Sequence, residues 1–309
     1  MLRFHRAMIS VVLLSVVTNS AWCWGPAGHR VVAMIAEQRL TPDVRARVSH
    51  LLFDGQFTMA DVSTCPDALR AAEKGNLRPE EEYCLKVAGS VPKDSSPWHY
   101  IDIPIPTQAK SLEAFCPNGA CIVEKLKSFT NVLRDSADES ERRAALMYVI
   151  HFAGDIYQPL HCAERNCDQG GNLEHVNFYV KQEERADRRL HGVWDSDLLY
   201  KAMNDAKVHE ERVYATELAR TIHSRDAKKW AAQPFEAVAW DGHRIAEQHV
   251  YRGIPLQNFC GITTPAEHPP VTDLKPEYET QGAHIVREQL QRAGVRLAAL
   301  IESIAVVAR

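Results

Sequence analysis

The run His151-Phe-Ala-Gly-Asp155-Ile-Tyr-Gln-Pro-Leu-His161 sets two imidazoles and a carboxylate at offsets of four and ten. Imidazole nitrogen and carboxylate oxygen suit zinc, and a His/Asp pair four residues apart lets one helix offer two ligands to one site. On a helix of 3.6 residues per turn, His151 and Asp155 project about 40° apart, opposite an apolar stripe of Leu146, Ile150, Ala153, Tyr157 and Leu160. His161 falls roughly 100° from that pair on an unbroken helix. It therefore reaches a different ion, unless Pro159 redirects it. His191-Gly-Val-Trp-Asp195 repeats the four-residue offset, Trp98-His99-Tyr100-Ile101-Asp102 offers another histidine, Cys65-Pro66-Asp67 a carboxylate, and Trp24-Gly-Pro-Ala-Gly-His29 a further imidazole. His50, His175, His209, His223, His243, His249, His268 and His284 read as structural or solvent-facing.

The elements that must position these groups are mostly helical by their apolar spacing. Helices are expected over 31–40, over 42–52 with Thr41 as N-cap and Pro42 in the first turn, and over 122–133, 142–160, 190–203 and 208–224. The last helix carries a stripe of Val286, Leu290, Ala293, Leu297, Leu300, Ile301 and Ile304. Strand signals are few: residues 100–103 and the alternating Val176, Phe178 and Val180. The polar stretches 74–82, 181–189 and 253–278 read as surface loops, and no repeat or interdomain linker is evident. A single, mainly α domain over residues 24–309 is expected.

Residues 1–23 read as an export signal: Arg3 and Arg6, an apolar run over 7–17, then a cleavage region at Ala21-Trp22-Cys23. A secreted or periplasmic location follows. The apolar run is too short to span a bilayer, and no later segment reaches the roughly 18 apolar residues of a membrane helix. The formal charge of the 309-residue chain is −4, and losing Arg3 and Arg6 makes it −6, which argues against a broad basic groove for duplex DNA. Seven of the eight cysteines survive cleavage, and in an oxidising compartment most should pair. Short loops favour Cys116 with Cys121 and Cys162 with Cys167, Cys84 with Cys260 is a further choice, and Cys65 is left over.

Together the motifs resemble the S1/P1-type family of secreted, zinc-dependent, single-strand-specific nucleases and 3′-nucleotidases, and more distantly zinc-dependent phospholipase C. The resemblance runs from Trp24 to about Leu199, with a weaker echo in the last helix. It implies three zinc ions: one on Asp67, His99, His151 and Asp155, a second on His161, His191 and Asp195, and a third on Trp24, His29 and Asp155. Trp24 would bind through its amino nitrogen and carbonyl oxygen, so signal cleavage itself would create that ligand; an α-amino group of pKa about 8 yields its proton readily to zinc. Three Zn²⁺ outweigh the carboxylates of Asp67, Asp155 and Asp195, leaving a cationic site for phosphate in an acidic protein. By the same resemblance, Asp67 orients the attacking hydroxide, Arg70 offsets transition-state charge, Tyr100 stacks on a base, and Asp102 and Asn172 bond its edge. Gly170 and Gly171 would let backbone approach the base.

The expected activity is hydrolysis of single-stranded RNA and DNA to 5′-mononucleotides and removal of 3′-phosphates, by a monomer without membrane insertion. The alternatives are a phospholipase C, against which Asp195 stands where that relative uses glutamate, and a non-catalytic exported zinc-binding protein. Three departures bear on the nucleotide pocket: Cys65-Pro66 replaces Trp-Ala before the metal aspartate, Arg189 stands where asparagine is common, and the gap from His161 to His191 is longer than in the mould enzymes.

Overall fold

Proline and glycine set the first boundaries. Pro26 occupies the first turn of α1 (Pro26–Arg39), where its missing N–H costs no hydrogen bond, so the helix begins well before residue 31. The computed structural model describes residues 24–181, 184–261 and 271–307, so the export signal expected over 1–23 lies outside the described residues. Pro42 likewise opens α2 (Pro42–Leu51), but the Thr41 side chain does not cap it; the Thr41 N–H and hydroxyl bond Glu302 near the chain's end. Next come α3 (Met59–Val62), α4 (Cys65–Glu73), α5 (Tyr83–Ala88), α6 (Ile122–Asp135) and α7 (Glu139–Asp155), the last capped by Asp138. A short α8 (Leu190–Gly192) runs through a π-helical turn at Val193–Asp197 into α9 (Leu198–Asp205). Then follow α10 (Glu211–Arg220), α11 (Ser224–Ala231), α12 (Phe235–Ile245) and the long α13 (Pro276–Val307). The fold is mainly α, as expected.

The long α13 packs along α1, α9 and α11, while α7 packs against α6 and α5, and one continuous apolar core joins them. Every residue of α7 from Ala145 to Asp155 is buried. The face of His151 and Asp155 therefore looks inward, because helices and turns close over both sides of α7. Among the described residues no helix is long and apolar enough to cross a membrane.

Several expectations are corrected. Residues 100–103 form no strand; Ile101 N–H donates to His161 O and Ile105 N–H to Glu164 O, so this segment bonds the stretch after α7 through an isolated bridge at Pro104. Stretch 181–189 is not a loop throughout: β1 (His175–Lys181) pairs antiparallel with β2 (Glu184–Arg189), and β3 (Thr272–Asp273) lies parallel on the other side of β1. As an edge strand β2 carries charge rather than apolar alternation. The helix expected over 142–160 ends at Asp155, Pro159 opening a separate 3₁₀ turn (Pro159–Cys162), and that over 208–224 breaks after Arg220.

Only one of the three expected disulfides forms, Cys116–Cys121. Cys65, expected to be left over, bonds Cys84, and Cys167 bonds Cys260. Among the described residues Cys162 is the free cysteine, buried against Gly242 with its thiol 3.5 Å from Ile156 O. Its side chain is fixed in the core by the 3₁₀ turn, so nearness in sequence to Cys167 does not help it.

Candidate metal centre

α7 supplies the middle of the site. Asp155 Oδ2 lies 3.0 Å from both His151 Nε2 and His99 Nδ1, and Asp155 Oδ1 lies 3.2 Å from His29 Nε2 and 3.7 Å from His161 Nδ1. His99 ends a 3₁₀ turn (Ser96–His99), His29 comes from α1 and His161 from the turn after α7. Asp67, in the first turn of α4, places Oδ1 3.8 Å from His99 Nδ1 and 3.9 Å from His151 Nε2. Across the π-helical turn, His191 Nε2 meets Asp195 Oδ2 at 3.3 Å. Three groups emerge with their ligand atoms within 4.8 Å of one another: His29, His151 and Asp155; Asp67, His99 and His151; His161, His191 and Asp195.

Backbone carbonyls orient three of the imidazoles. His151 Nδ1–H donates to Ser63 O at 2.7 Å, His161 Nδ1–H to His99 O at 2.8 Å, and His191 Nδ1–H to Gly170 O at 2.7 Å. Because a carbonyl can only accept, each of these rings carries its proton on Nδ1 and keeps an Nε2 lone pair for a cation. Gln158 holds Asp195 Oδ1 through its amide at 2.6 Å.

Burial holds most of these rings neutral. It pushes His99 down to about 4 and, joined by the neighbouring His161, His191 down to about 3; His29 and His161 are lowered by burial as well. His151 alone rises, since Asp155 and Asp67 outweigh its burial. Asp155 stays far below the usual carboxylate range despite burial, held there by His151, His161 and His29, whereas burial drives Asp195 well above it. Neutral His29, His99, His161 and His191 beside an ionised Asp155 are in the protonation state a divalent cation requires, whereas His151 and Asp195 would each release a proton on binding one.

The donor set fits a metal by a further test. Both ring nitrogens of His29, Nε2 of His161 and Oδ1 of Asp155 are buried without a hydrogen-bond partner among the described residues, even though His29 Nε2 approaches Asp155. Such groups cost about 1–3 kcal/mol each when left unsatisfied, and a cation among converging lone pairs removes that cost. Trp24 is fully buried beside this cluster: its indole N–H donates to Gly154 O at 2.9 Å, and the next residue's N–H donates to Asp195 O at 2.9 Å. In the full-length chain the Trp24 nitrogen is a peptide amide rather than an amine.

The groups open onto a cavity of about 510 Å³. Arg70, Tyr100, Asp102, Gly170 and Asn172 all line it, together with Asp67, His161 and His191. The Arg70 guanidinium reaches Asp67 Oδ1 at 3.0 Å, and Asp67 is held low against its burial by Arg70, His151 and His99. Asp102 is pushed up to about 7 by burial, with Glu164 and Asp168 adding repulsion. Asn172 commits an amide N–H to Gln169 O at 2.8 Å. The Gly170 carbonyl orients His191, a role not apparent in the sequence. The loop bearing Gly170 and Asn172 is fastened by a buried Arg165–Glu174 pair at 2.7 Å, a Tyr251–Asp168 hydrogen bond at 2.6 Å and the Cys167–Cys260 disulfide. Gln158, Ser63 and Glu164 were missed at the level of sequence. Gln158 lies inside the opening motif, yet only the fold brings Asp195 to it.

Comparison with known proteins bears on this arrangement. The chain matches the family described as S1/P1 Nuclease over residues 24–306. It is 25% identical to Nuclease S1 of Aspergillus oryzae over 296 residues, covering 91% of this chain and 92% of that one. It is 25% identical to Endonuclease 3 of Arabidopsis thaliana over 307 residues (96% and 94%), and 27% identical to Nuclease P1 of Penicillium citrinum over 293 residues (91% and 97%).

Proposed function

The chain belongs to the S1/P1 nuclease family, and from that premise we propose that it is an exported, zinc-dependent hydrolase that cuts single-stranded RNA and DNA to 5′-mononucleotides and dephosphorylates 3′-nucleotides. The observation that carries this reading is the convergence of three His/Asp groups beside a cavity that also holds a guanidinium and an aromatic ring. Asp67, His99, His151 and Asp155 would hold one zinc, His161, His191 and Asp195 a second, and Trp24, His29 and Asp155 a third. Bound zinc supplies positive charge for the phosphate and acidifies a water molecule.

The chain's own residues do the rest. Asp67, kept ionised beside Arg70, orients the attacking water, while Arg70 donates to phosphate oxygens and offsets charge that builds up in the transition state. Tyr100 offers a ring for stacking, which needs an exposed base face and so disfavours duplexes. With its carboxyl near 7, Asp102 is partly protonated at neutral pH and both donates to and accepts from a base edge. Asn172 accepts through its side-chain oxygen.

Residues 1–23 act as the export signal in this reading, and the monomer is formed by residues 24–309. Cleavage before Trp24 turns its amide nitrogen into an amine. A form retaining extra residues before Trp24 should bind one zinc fewer and lose most activity. The processed, zinc-loaded protein should degrade single-stranded DNA and RNA and release phosphate from 3′-AMP, while leaving duplex DNA largely intact. Intact single strands and intact 3′-AMP across mildly acidic to neutral pH would overturn the reading in favour of a zinc-binding protein without catalysis, and phosphatidylcholine turnover without nucleotide turnover would favour a phospholipase C.

A further inference from the structure

The cavity wall continues past the residues given roles above. Asp67, Arg70 and Lys74 all line it: offsets of three and seven put Asp67 and Arg70 on one face of α4 and Lys74, its C-cap, in line with them. Along that face the side chains go from buried Asp67, through Arg70 at 15% exposure, to exposed Lys74. At 1.5 Å per residue, Lys74 stands about 10 Å along the helix axis from Asp67. It stands one helical turn, about 6 Å, beyond Arg70, so along the cavity it faces a phosphate further down the strand than the one held at Asp67 and Arg70.

The end of α4 is built to hold this position. Gly75 takes φ +76°, Asn76 N–H donates to Ala71 O at 2.9 Å and Gly75 N–H to Ala72 O at 2.9 Å, the double bond pattern of a Schellman stop that favours glycine. Lys74 and Asn76 are thereby fixed on either side of the stop, both lining the cavity. The neighbouring carboxylate of Glu73 is committed elsewhere, accepting from Asp94 N–H and, at 3.1 Å, from the Ser95 hydroxyl. Lys74 itself enters no ion pair among the described residues. Arg78 lines the same edge but pairs with Glu81, whereas Lys74 makes no direct ion pair among the described residues and feels the Glu73 charge only as a minor attraction.

Resting on the function proposed above, we infer that Lys74 and Asn76 form a second phosphate subsite, which takes the phosphodiester next to the scissile one in a single-stranded polynucleotide. A lone mononucleotide does not reach it. The subsite makes affinity depend on strand length and on salt, since each contacted phosphate of a single strand adds about 0.7 to the slope of log affinity against log salt.

The test measures binding to zinc-loaded wild type, Lys74→Gln and Lys74→Glu, using a fluorescent phosphorothioate single strand of about ten nucleotides and, separately, a nucleoside 5′-monophosphate. Zinc content and circular dichroism establish that each variant is folded, and the neutral Lys74→Gln serves if charge reversal disturbs α4. The expected result is a loss of about 5–50-fold in the ratio of strand to mononucleotide affinity for Lys74→Glu, a smaller loss for Lys74→Gln, and a salt slope reduced by about 0.7 in both. Wild-type strand affinity and wild-type salt slope in both variants would overturn the inference alone. If wild type binds neither strand nor mononucleotide, the proposed function fails with it.

Discussion

Gly154→Ala perturbs the candidate metal centre without altering any proposed ligand. A Cβ at 154 would stand 2.9 Å from His29 Nδ1 and 3.3 Å from its Cε1, where ordinary contacts run about 3.5–4.0 Å. The imidazole must give way by about 0.6 Å, while metal-ligand distances tolerate only about 0.2 Å. His29 has little room to move, because its ring stacks on His151 with centroids 3.9 Å apart and is almost fully buried. For stability, crowding costs about 1–3 kcal/mol, and replacing a helical glycine by alanine returns about 1 kcal/mol, so the net loss is about 0–2 kcal/mol and the fold persists. For the metal, disturbing a ligand's support costs about 10–100-fold in affinity. Zinc per chain, measured by mass spectrometry at micromolar free zinc, should fall by one, and kcat/KM on 3′-AMP by more than about tenfold. Gly192→Ala, whose new methyl group meets nothing within 4 Å, is the matched control and should keep its zinc. Wild-type zinc content and activity in Gly154→Ala would refute the reasoning that His29 is a ligand held in place by close packing.

Three other expectations follow from the same geometry. Arg70→Ala should lower kcat about 10²–10³-fold, the usual cost of losing one transition-state donor, with zinc content retained; an unchanged kcat would remove Arg70 from the chemistry. Opening the Cys65–Cys84 bridge by a double Cys→Ala change should cost about 3 kcal/mol, given the 19-residue separation, and lower Tm by several degrees; calorimetry showing no change would contradict this. Asp102, whose carboxyl is raised to about 7 in the folded chain, binds a proton there that the unfolded chain has already released, so its contribution lowers stability as pH rises from about 4 through 7. Asp102→Asn should thus gain stability relative to wild type at pH 8 and little at pH 4, read as Tm against pH; a gain independent of pH would count against the raised carboxyl.

Much of the His/Asp clustering was legible because its information is local. His151 with Asp155, and His191 with Asp195, sit one helical turn apart, and that offset survives whatever packs around them. Even Pro159 acted as its chemistry suggests, ending α7 and turning His161 toward His191 and Asp195. What escaped was long-range. The apolar stripe opposite His151 and Asp155 does not say what covers the polar face, and α7 is enclosed by neighbours that its own sequence does not specify. Cysteine pairing failed for the same reason: Cys65 meets Cys84 because α4 and α5 pack together, and Cys162 is turned into the core by the chain around Pro159. The hairpin escaped because β2 is a charged edge strand, whose pairing rests on backbone bonds to β1 rather than on apolar alternation. The carbonyls of Ser63, His99 and Gly170, which fix the imidazole tautomers, are backbone atoms and carry no residue signature.

Anomalous diffraction at the zinc edge, from crystals of the processed protein grown with zinc, tests the central claim most directly. The account predicts three peaks: one among Asp67, His99, His151 and Asp155, one among His161, His191 and Asp195, and one between His29, Asp155 and the new amino terminus at Trp24. Peaks absent from these groups, or lying only at surface histidines such as His50 or His249, would contradict it.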